Sequence, residues 1–257
     1  MIKGKRGIVF GVANDRSYAW YIAKQLLAQG AECGFTYLPV GKMERRVNRA
    51  LDELGVKDPW LAPCDAGKEE DLDELFAKIA KDFGKIDFVV HSIAFADRQY
   101  LNLGNFHQTT REAWTQALDI SAYTLLAMAR RCVDVMPDGG SLLAMTYYGG
   151  EKVIPGYNVM GVAKAALEHT ARYLAFELGE KKIRVNLISG GPLKTLAASA
   201  VDGIEEMFEH QRRKSSLKRE NTGEEVGDTA VYLVSDMSSG VTGETIHVDA
   251  GFSVVGL

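Results

Sequence analysis

The sequence predicts a single α/β domain built on a doubly wound parallel sheet, and three observations predict it. First, 257 residues that are 46% hydrophobic and 25% charged have a globular composition and enough apolar surface for a full core. Second, seven short apolar runs rich in β-branched and aromatic residues lack the polar alternation of a half-exposed strand, as strands covered on both faces do. Third, the segments between them carry helical spacing, and strands separated by helices imply right-handed crossovers into a parallel sheet.

The expected strands are 7–10, 33–37, 60–62, 88–90, 141–145, 184–188 and 245–248. The expected helices are 18–29, 43–54, 71–83, 112–136, 159–178 and 224–235. In the first helix Tyr18, Ile22 and Leu26, with Ala19, Ala23 and Leu27, form the apolar stripe, and Ser17 is placed to cap it. Gly30, Gly55, Gly84 and Gly179 stand where helices should stop. The whole pattern is Rossmann-like, about seven strands with helices on both faces. No repeat, low-complexity stretch or Pro/Ser-rich linker divides it, so residues 1–257 read as one domain.

Charge and cysteine content narrow the function classes. Thirty Lys and Arg against 34 Asp and Glu leave a net charge of −4, which offers no general attraction to nucleic acid or an anionic membrane. No apolar run approaches the roughly 20 residues of a membrane span, and the opening MIKGKRGIVFGVANDR turns polar too soon for a secretion signal. Cys33, Cys64 and Cys132 have neither disulfide-framework nor zinc-site spacing. The expectation is a cytoplasmic protein with no metal site.

In a doubly wound sheet, ligands bind at the carboxyl ends of the strands, where the strand order reverses. The first such turn holds one glycine, Gly11, where a dinucleotide fingerprint would show several. The Ser17 hydroxyl could face a phosphate at the helix N-terminus. Asp65, directly after the third strand, could accept from an adenine amino group or serve as an ordinary turn aspartate.

Residues 146–164 read TYYGGEKVIPGYNVMGVAK, with Tyr147, a second tyrosine ten residues on at Tyr157, and Lys164 seven further. This segment resembles the divergent short-chain dehydrogenase/reductase branch that contains the enoyl-acyl-carrier-protein reductases of bacterial type II fatty-acid synthesis. The resemblance runs nearly end to end: GVAN followed by Ser17, FTY at 35–37, CDA at 64–66, HSIAFA at 91–96, DIS at 119–121, GPLKTLAAS at 191–199 and TGETIHVDAGF at 242–252. Ordinary short-chain dehydrogenases carry Tyr-x-x-x-Lys. Here the residue four before Lys164 is Met160, which has no proton to give, Tyr147 stands where their serine would be, and Ser121 replaces their helix asparagine.

The resemblance implies reduction of a trans-2-enoyl thioester by NADH, with an acyl-carrier-protein-linked substrate and a homotetrameric assembly. Tyr157 and Lys164 are about two helical turns apart and share a face. Tyr157 is expected to donate to the developing enolate oxygen, Lys164 to hold the nicotinamide ribose and lower the pKa of Tyr157, and Tyr147 to shape the acyl pocket or assist protonation. Carried over for the cofactor are Gly11, Ser17, Tyr18, Asp65, Ala66, Ile93, Leu193, Lys194, Thr195, Leu196 and Ala197. Relatives more often have Ile in place of Tyr18. Ala96 would touch substrate, and a substrate-binding loop and helix are expected at about 189–212. After the second strand come Leu38 and Pro39, neither the acid that marks NAD nor an arginine. NADH is expected, while Lys42, Arg45 and Arg46 keep NADPH open. The basic run at 211–219 is either a solvated face or a landing patch for the acidic carrier protein through Arg212, Arg213 and Lys214. The tail at 252–257 either joins the subunit interface or packs within its own subunit.

Overall fold

A computed structural model describes residues 1–193 and 204–256, the backbone alone for 204–207. Seven parallel strands form one sheet in the order β3-β2-β1-β4-β5-β6-β7. They are β1 (Arg6–Phe10), β2 (Glu32–Tyr37), β3 (Leu61–Pro63), β4 (Phe88–His91), β5 (Gly140–Thr146), β6 (Ile183–Gly190) and β7 (Thr245–Val248). All seven expected strands form, with ends moved by a residue or two.

Eight helices connect them among the described residues: α1 (Tyr18–Ala28), α2 (Met43–Asp52), α3 (Glu69–Phe83), α4 (Arg111–Leu118), α5 (Thr124–Val135), α6 (Asn158–Leu178), α7 (Ile204–Lys214) and α8 (Gly223–Val234). Alternate strand residues feed the two cores. Ile8 and Phe10 of β1 pack under α3, α5 and α6, with Leu72, Ile79, Leu125 and Leu167. Val9, between them, packs under α1, α2 and α8, with Ile22, Leu26, Val47 and Val231. Both faces are buried, which is why these strands show no polar alternation.

Two local expectations fail for identifiable reasons. The segment expected as one helix over 112–136 is α4 and α5 joined by a π-helical turn, Asp119–Tyr123. That turn carries the wholly buried Ser121, whose hydroxyl is engaged by the loop after β4. Gly179 does not cap α6. Its φ is −57°, the chain runs on through a 3-10 turn, and Lys182 takes the left-handed conformation at φ +59°. Gly30, Gly55 and Gly84 do follow their helices at positive φ.

From β1 the chain steps outward to β2 and β3, then returns across β1 to β4, so the strand order reverses between β1 and β4. There Gly11 has φ +97°, and a β-carbon on it would lie 2.0 Å from the Ser92 carbonyl oxygen. The turns after β1 and β4 therefore touch through a backbone that only glycine permits. Gly11→Ala is expected to cost about 2–4 kcal/mol from left-handed strain and overpacking, measured by denaturant unfolding.

Candidate active site

The carboxyl end of β5 carries the site. Thr146 is its last residue, Tyr147 follows in extended conformation, and Tyr148–Gly150 forms a 3-10 turn. The chain returns at Tyr157 to begin α6. The Tyr147 and Tyr157 rings meet edge to face, centroids 4.9 Å apart at 77°. Lys164, buried on α6, donates from Nζ to the Met145 carbonyl oxygen at 2.8 Å. All three residues expected to carry the chemistry thus gather at one strand end.

Their acidities are set by burial. Burial pushes both phenols above their usual value, and at Tyr157 the neighbouring Tyr147 and Glu168 push the same way. Tyr157 therefore moves opposite to the lowering expected from Lys164: burial raises it, and both tyrosines stay protonated donors at neutral pH. Burial pushes the Lys164 ammonium down to about 8, opposed by Glu168.

His91, ending β4, is wholly buried, with Nε2 2.7 Å from the Thr124 hydroxyl. That hydroxyl donates to the Ile120 carbonyl, so His91 Nε2–H is the donor. Burial, and secondarily Lys164, push His91 down to about 3, so it stays neutral.

Beside the tyrosines lies a small apolar cluster of Tyr100, Leu101, Ala113, Ala117, Val159, Met160 and Ala163, with Ala96 and Tyr157 packed against it. Met160 lies within it, consistent with its having no proton to give. The loop after β4 is held by Ser121 Oγ, which accepts from the Phe95 N–H at 3.0 Å and donates to its carbonyl at 3.1 Å. Sequence reasoning noted Ser121 only as a replaced asparagine. It missed Asn158 altogether. Asn158 sits at φ +45° and donates from Nδ2 to the carbonyls of Tyr100 and Asn102, both at 2.8 Å. An asparagine just after the helix-start tyrosine was the available signal, since asparagine tolerates left-handed backbone.

On the cofactor side, Ser17 caps α1 as expected, accepting from the Trp20 N–H at 3.3 Å, while its hydroxyl donates to the Asn14 carbonyl at 2.9 Å. The Tyr18 hydroxyl reaches across to the end of β6, donating to the Gly191 carbonyl and accepting from Asn221 Nδ2. Asp65 makes a local turn, Oδ1 accepting from the Gly67 N–H at 3.1 Å. Ala66 and Ile93 are partly buried against the core below α3 and α5, and Leu193 is half-buried. Lys194, Thr195, Leu196 and Ala197 lie outside the described residues. Gly11 at the strand reversal and the capped start of α1 bring a glycine turn and a helix N-terminus together, the kind of surface that binds a pyrophosphate. Among the described residues, no group of His, Cys, Asp or Glu is placed to hold a metal ion.

The basic run is partly self-paired: Arg212 bonds Glu220, and Arg219 bonds Glu225 at 2.6 Å. The Phe252 ring packs on Tyr148 and His210 of its own chain, so this part of the tail is an intrasubunit contact.

A parallel doubly wound sheet with a Tyr/Lys pair on the helix after β5 defines a nicotinamide-dependent oxidoreductase of the short-chain dehydrogenase/reductase type. Residues 11–253 match the family model described as enoyl-(acyl carrier protein) reductase. The chain belongs to that family. It is 48% identical to the enoyl-[acyl-carrier-protein] reductase [NADH] FabI of Synechocystis sp., covering 100% of this chain and 99% of that protein. The Anaplasma phagocytophilum enoyl-(acyl-carrier-protein) reductase solved with NAD superposes with a TM-score of 0.94 at 44% identity, covering 100% of this chain and 96% of that one. The Bacillus cereus enzyme solved with NADP+ and indole naphthyridinone gives 0.96 at 46% identity, covering 100% and 99%.

Asn158→Ala removes two hydrogen bonds and forces a β-carbon residue without a local partner into left-handed backbone. It is expected to lower unfolding free energy by about 2–3 kcal/mol, with Asn158→Gly losing less, as read by chemical denaturation.

Proposed function

We propose that this chain reduces trans-2-enoyl thioesters carried on acyl carrier protein, using NADH, through Tyr147, Tyr157 and Lys164. The observation that carries this reading is the edge-to-face pair of protonated phenols beside a buried ammonium at the end of β5. NADH supplies the hydride when bound. The turn at Gly11, the capped N-terminus at Ser17 and Tyr18, and the Asp65, Ala66 and Ile93 borders would hold its dinucleotide. Lys164 would hold the nicotinamide ribose, with Leu193 to Ala197 completing the enclosure. This is the arrangement of a single dinucleotide-binding reductase domain.

Reduction at the β-carbon leaves charge on the thioester oxygen, and the largest available effect is a hydrogen-bond donor placed where that charge develops. Tyr157 is assigned that role: a phenol whose acidity is suppressed by burial remains a donor through the neutral range. Tyr147 bounds the acyl pocket from the other side of the ring pair. Ala96, packed on the same apolar cluster as Tyr157, lines the acyl path. A ketoreductase arrangement lacks its proton donor, since Met160 is buried in apolar contacts.

NADH is preferred over NADPH because Leu38 and Pro39, rather than an arginine, follow β2. The acidic carrier protein is received near Arg213 and Lys214 at the end of α7. A homotetramer is supported by an exposed apolar face on α5 and α6, where Leu126, Tyr173 and Phe176 are 42%, 64% and 86% exposed. No described helix is long and apolar enough to cross a membrane, and the cytoplasm is the proposed location.

Purified protein mixed with NADH and a short trans-2-enoyl thioester is expected to consume the reduced nicotinamide. Tyr157→Phe should lose about 100-fold in kcat while still binding NADH, and Lys164→Ala should weaken NADH binding about 10-fold or more. No turnover of the enoyl substrate would overturn the assignment. Sedimentation should give four times the 28.2 kDa chain mass.

A further inference from the structure

We propose that Glu168 is a positioning residue for this reaction: its buried carboxylate ties the end of β5 to α6 and sets a negative charge one helical turn from the Lys164 ammonium that would hold the cofactor ribose. The inference rests on the reading of Lys164 given above. Successive residues of β5 hold successive turns of α6. The Met145 carbonyl takes Lys164 Nζ at 2.8 Å, and the Thr146 hydroxyl donates to Glu168 Oε1 at 2.6 Å. Glu168 lies one helical turn beyond Lys164 on the same face. The two side chains belong to residues only 3% and 6% exposed. The 3-10 turn that follows Tyr147 lies directly on the carboxylate, since a β-carbon on Gly150 would stand 2.6 Å from Glu168 Oε1. One acidic side chain therefore touches the strand end and turn that carry Tyr147 and shares a helix face with Lys164.

A buried carboxylate is costly and persists where an opposite charge answers it. The charged and titratable groups around this pair come from every neighbouring element. Glu168 feels Glu151 from the turn, Arg172 from its own helix and His247 from β7. Lys164 feels the Glu168 charge and lies near His91 of β4, which is neutral. Tyr157 feels the Glu168 charge as well. Burial drives Glu168 toward its neutral form, the Thr146 hydrogen bond drives it back, and Glu168 is the group that opposes the desolvation of Lys164. Without that negative charge, Lys164 would lose its proton at lower pH, and with it the cation that reads the ribose.

The test is NADH binding, followed by nicotinamide fluorescence from mildly acidic to mildly alkaline pH, alongside the pH profile of kcat/KM for NADH. In the wild type, affinity should fall as pH rises through about 8. Glu168→Gln keeps an acceptor for Thr146 but removes the charge, and should move that fall about one pH unit lower. Thr146→Val removes the bond that favours the charged carboxylate and should move it the same way by less. A Glu168→Gln protein that binds NADH with the wild-type pH dependence, or is weakened equally at every pH, overturns the proposal. Should Glu168→Gln fail to fold by circular dichroism, Thr146→Val decides, and an unmoved profile counts against it. Lys164→Ala separates the two readings: if it binds NADH as tightly as the wild type, the role of Lys164 falls; if it does not and the Glu168→Gln profile stays put, only the role of Glu168 falls.

Discussion

An ammonium taken out of water must be answered by acceptors, and the placement of Lys164 shows how this fold answers it. The Met145 carbonyl, next to the last residue of β5, accepts from Nζ, and Glu168 supplies the nearby opposite charge. Because Met145 also pairs with β6 opposite Ile188, the lysine is referenced to the centre of the sheet. Tyr147 continues from that strand and Tyr157 starts the helix that bears the lysine, so one buried cation fixes the frame in which the two phenols meet. Loops near a site are usually its least ordered parts; here the site's residues are attached to β5 and α6 instead.

The second constraint is steric. The crossing from β1 to β4 brings two turns into contact at Gly11 and Ser92, with no room for a side chain. The same reversal of strand order opens the crevice in which a dinucleotide can lie along a helix N-terminus. Tyr18 adds a link from this first turn to Gly191 at the end of β6. An isoleucine at this position could not make that link, so in this chain the first turn and the end of β6 are joined by a hydrogen bond.

Much of the candidate site's geometry was legible because its residues lie on regular elements. Tyr157 and Lys164 share a helix face by spacing alone, and Ser17 caps α1 because serine before an apolar stripe does so. What escaped reading depended on partners remote in sequence. Asn158 matters through carbonyls at residues 100 and 102. Ser121 matters through the backbone of Phe95, and the π-helical turn that presents it interrupts a segment with unbroken helical periodicity. Gly179 looked like a cap, yet Lys182 takes the left-handed turn, because a 3-10 extension satisfies the last carbonyls before the chain reverses.

Taken by itself, the chain determines the order of strands and helices, their parallel sheet and the trio of Tyr147, Tyr157 and Lys164, since period, run length and spacing are local properties that burial on both faces makes readable. Only the tertiary structure decides the charge state of that trio. Desolvation depends on everything packed around a group, and here it raises Tyr157 where a simple lysine-to-phenol argument lowers it. It likewise makes Glu168, an unremarkable acid in a helical run, the buried counter-charge of the site.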